Sequence, residues 1–550
     1  MGYVVGFSSG AFGVTGPEEK SQLAGLFRKA QSSITKGVEF VQLDLESISE
    51  FEEPDLEKKM KEEVMKKLNL TFGIHSETKA FGVEAAELDS ALATEYDRAQ
   101  RRLLIILERA GKIGSKYVLI HSSESDPFPL LSLKTQPLEL VDFYGRSIKE
   151  FLNDEENKNK WLVDWLMKEE GKFMWVEILH GRTLDWTLEQ VKKELKDKYR
   201  ATGREITEQE LNSRLEDTKK EYQDYFMDTV SSKSLHYGPE RWAYFLVARW
   251  MEYNNDPLWN SIVNTSIKFF AERDSITPEE WLSKKKIQKK SVDDQNFRAT
   301  QEIWVPAVSA KYIWGHLFPK TYEDPKKIIK KYNMPLVLES PMGGRGIEEW
   351  PRLANPIQYY HLVEQVNTEA GFDTMMIALD FEHMLSLRLD PKLVIKLLPE
   401  DAGKFVNVIH AGWPSTLAPA HLPIEIGSDQ QRYLYERYYE LRQKGMGKEK
   451  DTFIVFERGG PETFQQSIIS LRLIVKFLKD GTPPDKLPAE FFGLDIGQMA
   501  SSERQKVAIR EHAYDPLKGL ISAPEEEHGF LGRAAIEKGK GEEWRKEKYK

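Results

Sequence analysis

The chain runs to 550 residues, 40% hydrophobic, 30% charged and 11% aromatic, a globular composition with length for more than one folded unit. It has no cysteine, which excludes disulfides and thiolate metal sites and leaves any metal to His, Asp and Glu. The formal net charge of -10 argues against nonspecific coating of nucleic acid, and no apolar run is long enough for a membrane span.

From the N-terminus, MGYVVGFSSGAFG lacks the basic region and long apolar run of a signal peptide, so a cytoplasmic protein is expected. Zero cysteine with abundant Lys and Glu is also a habit of heat-adapted proteins. Two kinds of segment then alternate through the first 121 residues. YVVGFS (3–8), VEFVQLDLE (38–46), LTFGIH (70–75) and KYVLIH (116–121) are short, apolar and β-rich. Between them lie helical stretches at 18–34, 55–68 and 95–114. In the last, Leu103, Leu104, Ile106, Leu107 and Ala110 make one apolar face, and Gly114 is a natural C-terminal stop.

Residues 125–300 leave this pattern and read as helices rich in Trp, Tyr and charge, among them RWAYFLVARW (241–250) and the basic KKKIQKK (284–290). We take them as a helical insertion after the fourth strand, placed to gate a site or to bind a protein. The alternation resumes with PLVLES (335–340), TMMIALD (374–380), KFVNVIH (404–410) and TFIVFE (452–457), and SLRLIVKFLKD (470–480) reads as a final helix. Four β/α units plus four more, with strands too continuously apolar for a one-sided sheet, predict an α/β fold, a (β/α)8 TIM barrel. A doubly wound open sheet is the alternative. The expected organisation is a first half-barrel at 1–124, the insertion at 125–300, a second half-barrel at 301–480 and a C-terminal extension at 481–550.

The ends of the later strands share a chemistry. Strands three to eight finish on His75, His121, Glu339, Asp380, His410 and Glu457, with His383 three residues after Asp380 and His421 eleven after His410. One such ending is ordinarily a loop anchor. Six in succession would converge on the C-terminal rim of a barrel, where active sites of this fold are built. Carboxylates gathered there repel one another unless cations sit between them, and imidazole with carboxylate suits zinc, manganese or iron.

GIHS (73–76), LIHS (119–122), LESPMGGRG (338–346), LDFEH (379–383), VIHAG (408–412), AHLPIEIG (420–427) and VFERGG (455–460) together resemble the metal-binding strands of the endonuclease IV family, in the xylose isomerase-like superfamily. The resemblance covers roughly 1–124 and 301–480. It implies three metal ions, usually zinc, on nine ligands, eight of which have counterparts: His75, His121, Glu339, Asp380, His383, His410, His421 and Glu457. It departs at position 419, a proline where the family has an aspartate, with Glu425 and Asp429 the nearby acids. Two or three divalent ions are expected, zinc first and manganese as the alternative.

The resemblance implies a phosphodiester hydrolase with Glu339 bridging two metals, acting on nucleic acid at abasic or nicked sites, as in DNA repair. The loops at 76–82, 122–129, 341–346 and 411–419 hold only Lys79 and Arg345 as cations, a poor phosphate-tracking surface. A rival reading is a metal-dependent sugar or sugar-phosphate isomerase or epimerase of the same superfamily. There Glu339, Asp380, His410 and Glu457 hold one cation, the two glutamates move protons, and the substrate is a small molecule that can be phosphorylated. A third reading is a non-catalytic scaffold with the insertion as its docking surface.

Overall fold

The computed structural model describes residues 2–9, 25–32, 38–76, 85–123, 140–154, 180–201, 203–218, 240–285, 287, 301–342, 351–412, 423–457 and 461–494. Eight apolar strands pair in parallel, in chain order, and close on themselves. They are β1 Tyr3–Ser8, β2 Phe40–Asp44, β3 Thr71–His75, β4 Val118–His121, β5 Leu336–Glu339, β6 Met375–Asp380, β7 Val406–Ala411 and β8 Thr452–Phe456. Closure runs between β1 and β8, with Tyr3 opposite Thr452 and Phe7 opposite Phe456. The TIM barrel is the expected one, and closure excludes the open sheet, which would leave two unpaired edges.

Burial on both faces explains the lack of alternation in the strand sequences: every residue of β5 and β6 is buried, the charged last residues included. The helix Ala93–Ile113 buries Leu103, Ile106, Leu107 and Ala110 and leaves Ile105 on its outer side. Leu104 is only partly covered. Gly114 ends this helix at φ 94°, a left-handed conformation that a side chain would strain. The stretch expected as one helix at 55–68 begins as α-helix at Leu56–Lys58 and continues as a π-helix over Lys59–Lys67.

Between β4 and β5 the described residues form helices at Ile148–Asn153, His180–Ala201, 208–218, Glu240–Tyr253, Pro257–Arg273, Pro278–Lys284, Gln301–Leu317 and Pro325–Tyr332. Within RWAYFLVARW the residues from Ala243 to Ala248 are all buried, so this aromatic stretch is helix core. Glu240, at the start of that helix, meets Arg352, from the connection after β5, in a buried two-pronged pair: Nη2 to Oε2 at 2.6 Å and Nη1 to Oε1 at 2.9 Å. Ser90 Oγ and the Ala91 amide donate to the same carboxylate at 2.8 and 2.6 Å.

A buried histidine gives this region a pH dependence. His316 lies against Tyr96, ring centroids 4.0 Å apart, with Nδ1 2.5 Å from Gln100 Oε1. Burial drives its pKa down to about 3 from an ordinary 6.5. The folded state therefore binds fewer protons than the unfolded one, so this contribution is complete above pH 6.5 and is lost as pH falls toward 3. Between pH 7 and pH 5 the group should cost the fold about 2 kcal/mol. Urea unfolding at the two pH values should show a correspondingly shallower pH dependence for His316→Gln. Equal pH dependence in the two proteins would refute the assignment.

The chain separates into two compact units, residues 1–412 with 440–460 and residues 413–439 with 461–550. The first contains all eight strands. In the second, Phe491 packs on Tyr435 and Phe477, with ring centroids at 5.1 and 5.8 Å, and the Ile424 amide donates to Ser467 Oγ at 3.0 Å. Among the described residues no helix is long and apolar enough to cross a membrane.

Candidate metal centre

The strand register brings the rim residues side by side. Asp44 pairs with His75, His121 with Glu339, and Asp380 with His410, each pair level across adjacent strands. Register partners on parallel strands point the same way, with about 4.8 Å between strands. Glu457 is the first residue after β8 and joins the same rim.

Two groups of donor atoms result, each with its atoms within 4.8 Å of one another: His75, His121 and Glu339, and Glu339, Asp380, His410 and Glu457. Glu339 belongs to both. Its side chain is fully buried, with Oε2 3.3 Å from His75 Nε2 and 3.7 Å from His121 Nε2, and Oε1 2.5 Å from His410 Nδ1. His410 Nδ1 also lies 3.4 Å from Asp380 Oδ2 and 3.4 Å from Glu457 Oε2. Neither Glu339 oxygen nor His410 Nδ1 has a contact with hydrogen-bond geometry. Buried acceptors left without donors, gathered in one cluster, are what a bound cation would satisfy.

Surrounding atoms settle which nitrogen each histidine offers. His75 Nδ1 is 2.7 Å from the Ser76 carbonyl, which leaves Nε2 toward Glu339. His383 Nδ1 is 2.8 Å from the Ser340 carbonyl, so its free nitrogen is Nε2. Asp380 caps the short helix Phe381–Ser386 by accepting from the His383 amide at 2.7 Å, which is why the pair is spaced by three. His383 Nδ1 stands 3.7 Å from both Glu339 Oε1 and Asp380 Oδ2, beside the two groups rather than within either.

Without a cation, protons on imidazoles supply the positive charge. Burial alone lowers the His75 pKa, but Glu339, with Asp44 and Glu457 behind it, outweighs burial and lifts it to about 9. His383 and His410 are likewise raised against burial, by Asp380 and Glu339 and by Glu339 and Glu457 respectively. Among the acids, Glu339 is held well below the usual range despite its burial, chiefly by His410 and His75. Glu457 is raised, by burial and by the charges of Asp380 and Glu339, against the pull of His410. These imidazole nitrogens and carboxylate oxygens fit a divalent cation of the zinc or manganese type.

Seven of the eight expected residues thus meet on one rim. His421 and Pro419 lie outside the described residues, as do Lys79 and Arg345 of the expected loops. Glu425 and Asp429 belong to the second unit. Sequence reading missed the floor of the site. Gln42 is fully buried with Oε1 2.9 Å from His410 Nε2, and Asp44 accepts from Ser9 Oγ at 3.2 Å and from Ser8 Oγ. The available signal was QLD (42–44), a polar residue inside an otherwise apolar strand, two places before an acid.

No family model matches the chain, and no curated protein matches it. Among solved structures it is similar to an L-ribulose 3-epimerase, at 10% identity and a TM-score of 0.35, over 87% of this chain and 96% of that one. A D-tagatose 3-epimerase-like protein aligns at 10% identity and a TM-score of 0.37, over 87% and 100%. The 3-keto-D-glucoside 4-epimerase of E. coli aligns at 7% identity and a TM-score of 0.34, over 86% and 99%. The barrel assignment itself stands on the strand pairing. The expectation of a metal-dependent phosphodiester hydrolase is corrected: these neighbours are epimerases, of the isomerase class, and hydrolase chemistry is set aside.

Proposed function

We propose that this protein is a metal-dependent isomerase or epimerase acting on a sugar or sugar phosphate. The observation that carries the reading is the quartet Glu339, Asp380, His410 and Glu457, at the C-terminal ends of four consecutive strands, with donor atoms within 4.8 Å of one another. A divalent cation held there would polarise adjacent carbonyl and hydroxyl oxygens of a sugar and acidify the hydrogen on the carbon between them. Glu339 and Glu457 come from strands on either side of Asp380 and His410, so a carboxylate oxygen of one takes that proton while the carboxyl of the other returns one. Likeness to endonuclease IV is then a likeness of ligand positions. The trio His75, His121 and Glu339 is a second set of donors, and counting bound cations decides its use.

The test starts with elemental analysis of the purified protein. The cation-loaded protein is then incubated in deuterated water with ketopentoses, ketohexoses and their phosphates. Proton NMR should show deuterium entering the carbon beside the carbonyl for one substrate class. Glu457→Gln should slow that exchange by at least about 100-fold while the cation is retained by the other three ligands. A loaded protein that exchanges no member of the panel overturns the reading.

A further inference from the structure

We propose that Gln42, backed by Tyr117, is a positioning residue that holds His410 with Nδ1 toward the quartet and so sets the affinity of that site for its cation. The inference rests on the metal reading above and concerns residues outside the ligand set.

Gln42 lies in the middle of β2 and is fully buried. Its Oε1 is 2.9 Å from His410 Nε2, across the barrel on β7, and accepts from Tyr117 Oη at 2.9 Å. Its Nε2 faces Asp44 Oδ1 at 3.4 Å. An amide can be turned either way round, and its neighbours decide which way. Asp44 presents a carboxylate oxygen, so the NH2 faces it. Tyr117 is buried beside Asp44, Glu339 and Glu457, and burial and those charges together keep its proton on, so the phenol donates. The group left facing His410 is therefore the oxygen, and His410 Nε2 must carry a hydrogen. The Nδ1 lone pair is then the one directed at Glu339, Asp380 and Glu457, at 2.5, 3.4 and 3.4 Å. In the other tautomer Nε2 would face the Gln42 oxygen lone pair to lone pair, and Nδ1 would bring a hydrogen where a cation belongs.

The neighbouring strand is adapted to this contact. Gly73 is in the interior of β3, where glycine weakens a strand, and a Cβ there would sit 2.4 Å from Tyr117 Cζ. The Tyr117 ring crosses over the glycine to reach Gln42. Gly73, Tyr117 and Gln42 thus form a floor under the histidine.

Zinc and manganese affinities, measured by competition titration, should fall about 10- to 100-fold in Gln42→Met, which keeps the volume and removes the acceptor. Gln42→Glu, which keeps an acceptor oxygen, should recover most of that loss. Tyr117→Phe should weaken binding about fivefold, the worth of one neutral hydrogen bond, and serves if Gln42→Met does not fold. Long-range nitrogen–proton NMR of the zinc-loaded wild type should show His410 protonated at Nε2, and exchange of that hydrogen with water should be at least about tenfold faster in Gln42→Met, where its acceptor is gone. Wild-type affinity in both Gln42→Met and Tyr117→Phe, equal loss in Gln42→Met and Gln42→Glu, or an unchanged exchange rate at His410 Nε2 overturns the inference. A wild type that binds neither cation fails the metal reading itself.

Discussion

Glu339→Gln should leave the protein with less bound metal than a substitution at any other residue of the two donor groups, Asp380→Asn included, and without activity. Glu339 is common to both donor groups, so neutralising it removes charge from two sites at once. A cation affinity lowered by more than about 100-fold is expected, beyond what losing a supporting residue costs. Metal-free protein offers an independent readout. Glu339 is the main influence lifting His75 against its burial to about 9, so the His75 titration should move sharply downward in the variant. Elemental analysis and histidine NMR titration check the two halves. Equal metal content in Glu339→Gln and Asp380→Asn would remove Glu339 from its central place.

Arg352→Met should destabilise the fold by about 3–5 kcal/mol, the usual cost of stripping one partner from a buried ion pair. The guanidinium and the Glu240 carboxylate are both buried, 1% and 5% exposed, and Arg352 also donates to the Asp89 carbonyl at 3.1 Å and lies over the Tyr244 ring. Once Arg352 is gone, Glu240 keeps Ser90 and Ala91 as donors but loses its compensating charge. Glu240→Gln in the same background should therefore restore part of the loss, so the two substitutions are strongly non-additive. A double-mutant cycle by urea unfolding measures this. Additive losses would show that the pair is not the joint between the helix Glu240–Tyr253 and the connection after β5.

Much of the barrel was legible in the chain because a parallel barrel strand is buried on both faces and reads as a short, unbroken apolar run. YVVGFS was assigned to the residue, and the others to within one or two at either end. The polar endings could be gathered before any coordinates because every strand of such a barrel points the same way. Choosing between reactions was another matter. Recognition of the motifs favoured hydrolysis, since ligand types and spacing do not by themselves fix the reaction a metal site performs.

The sequence by itself determined the barrel, its strand order and which side chains end at its C-terminal rim, because burial period and chain direction are local properties. Only the tertiary structure decided how those side chains are shared. Glu339 belongs to two donor groups because β5 stands beside β4 on one side and β6 on the other. His383 falls outside both groups, although its spacing from Asp380 reads as a ligand pair. Gln42 meets His410 across 368 residues of chain. No periodicity or spacing encodes such contacts, since they arise where strands distant in sequence close around one interior and each buried polar atom must find its partner there.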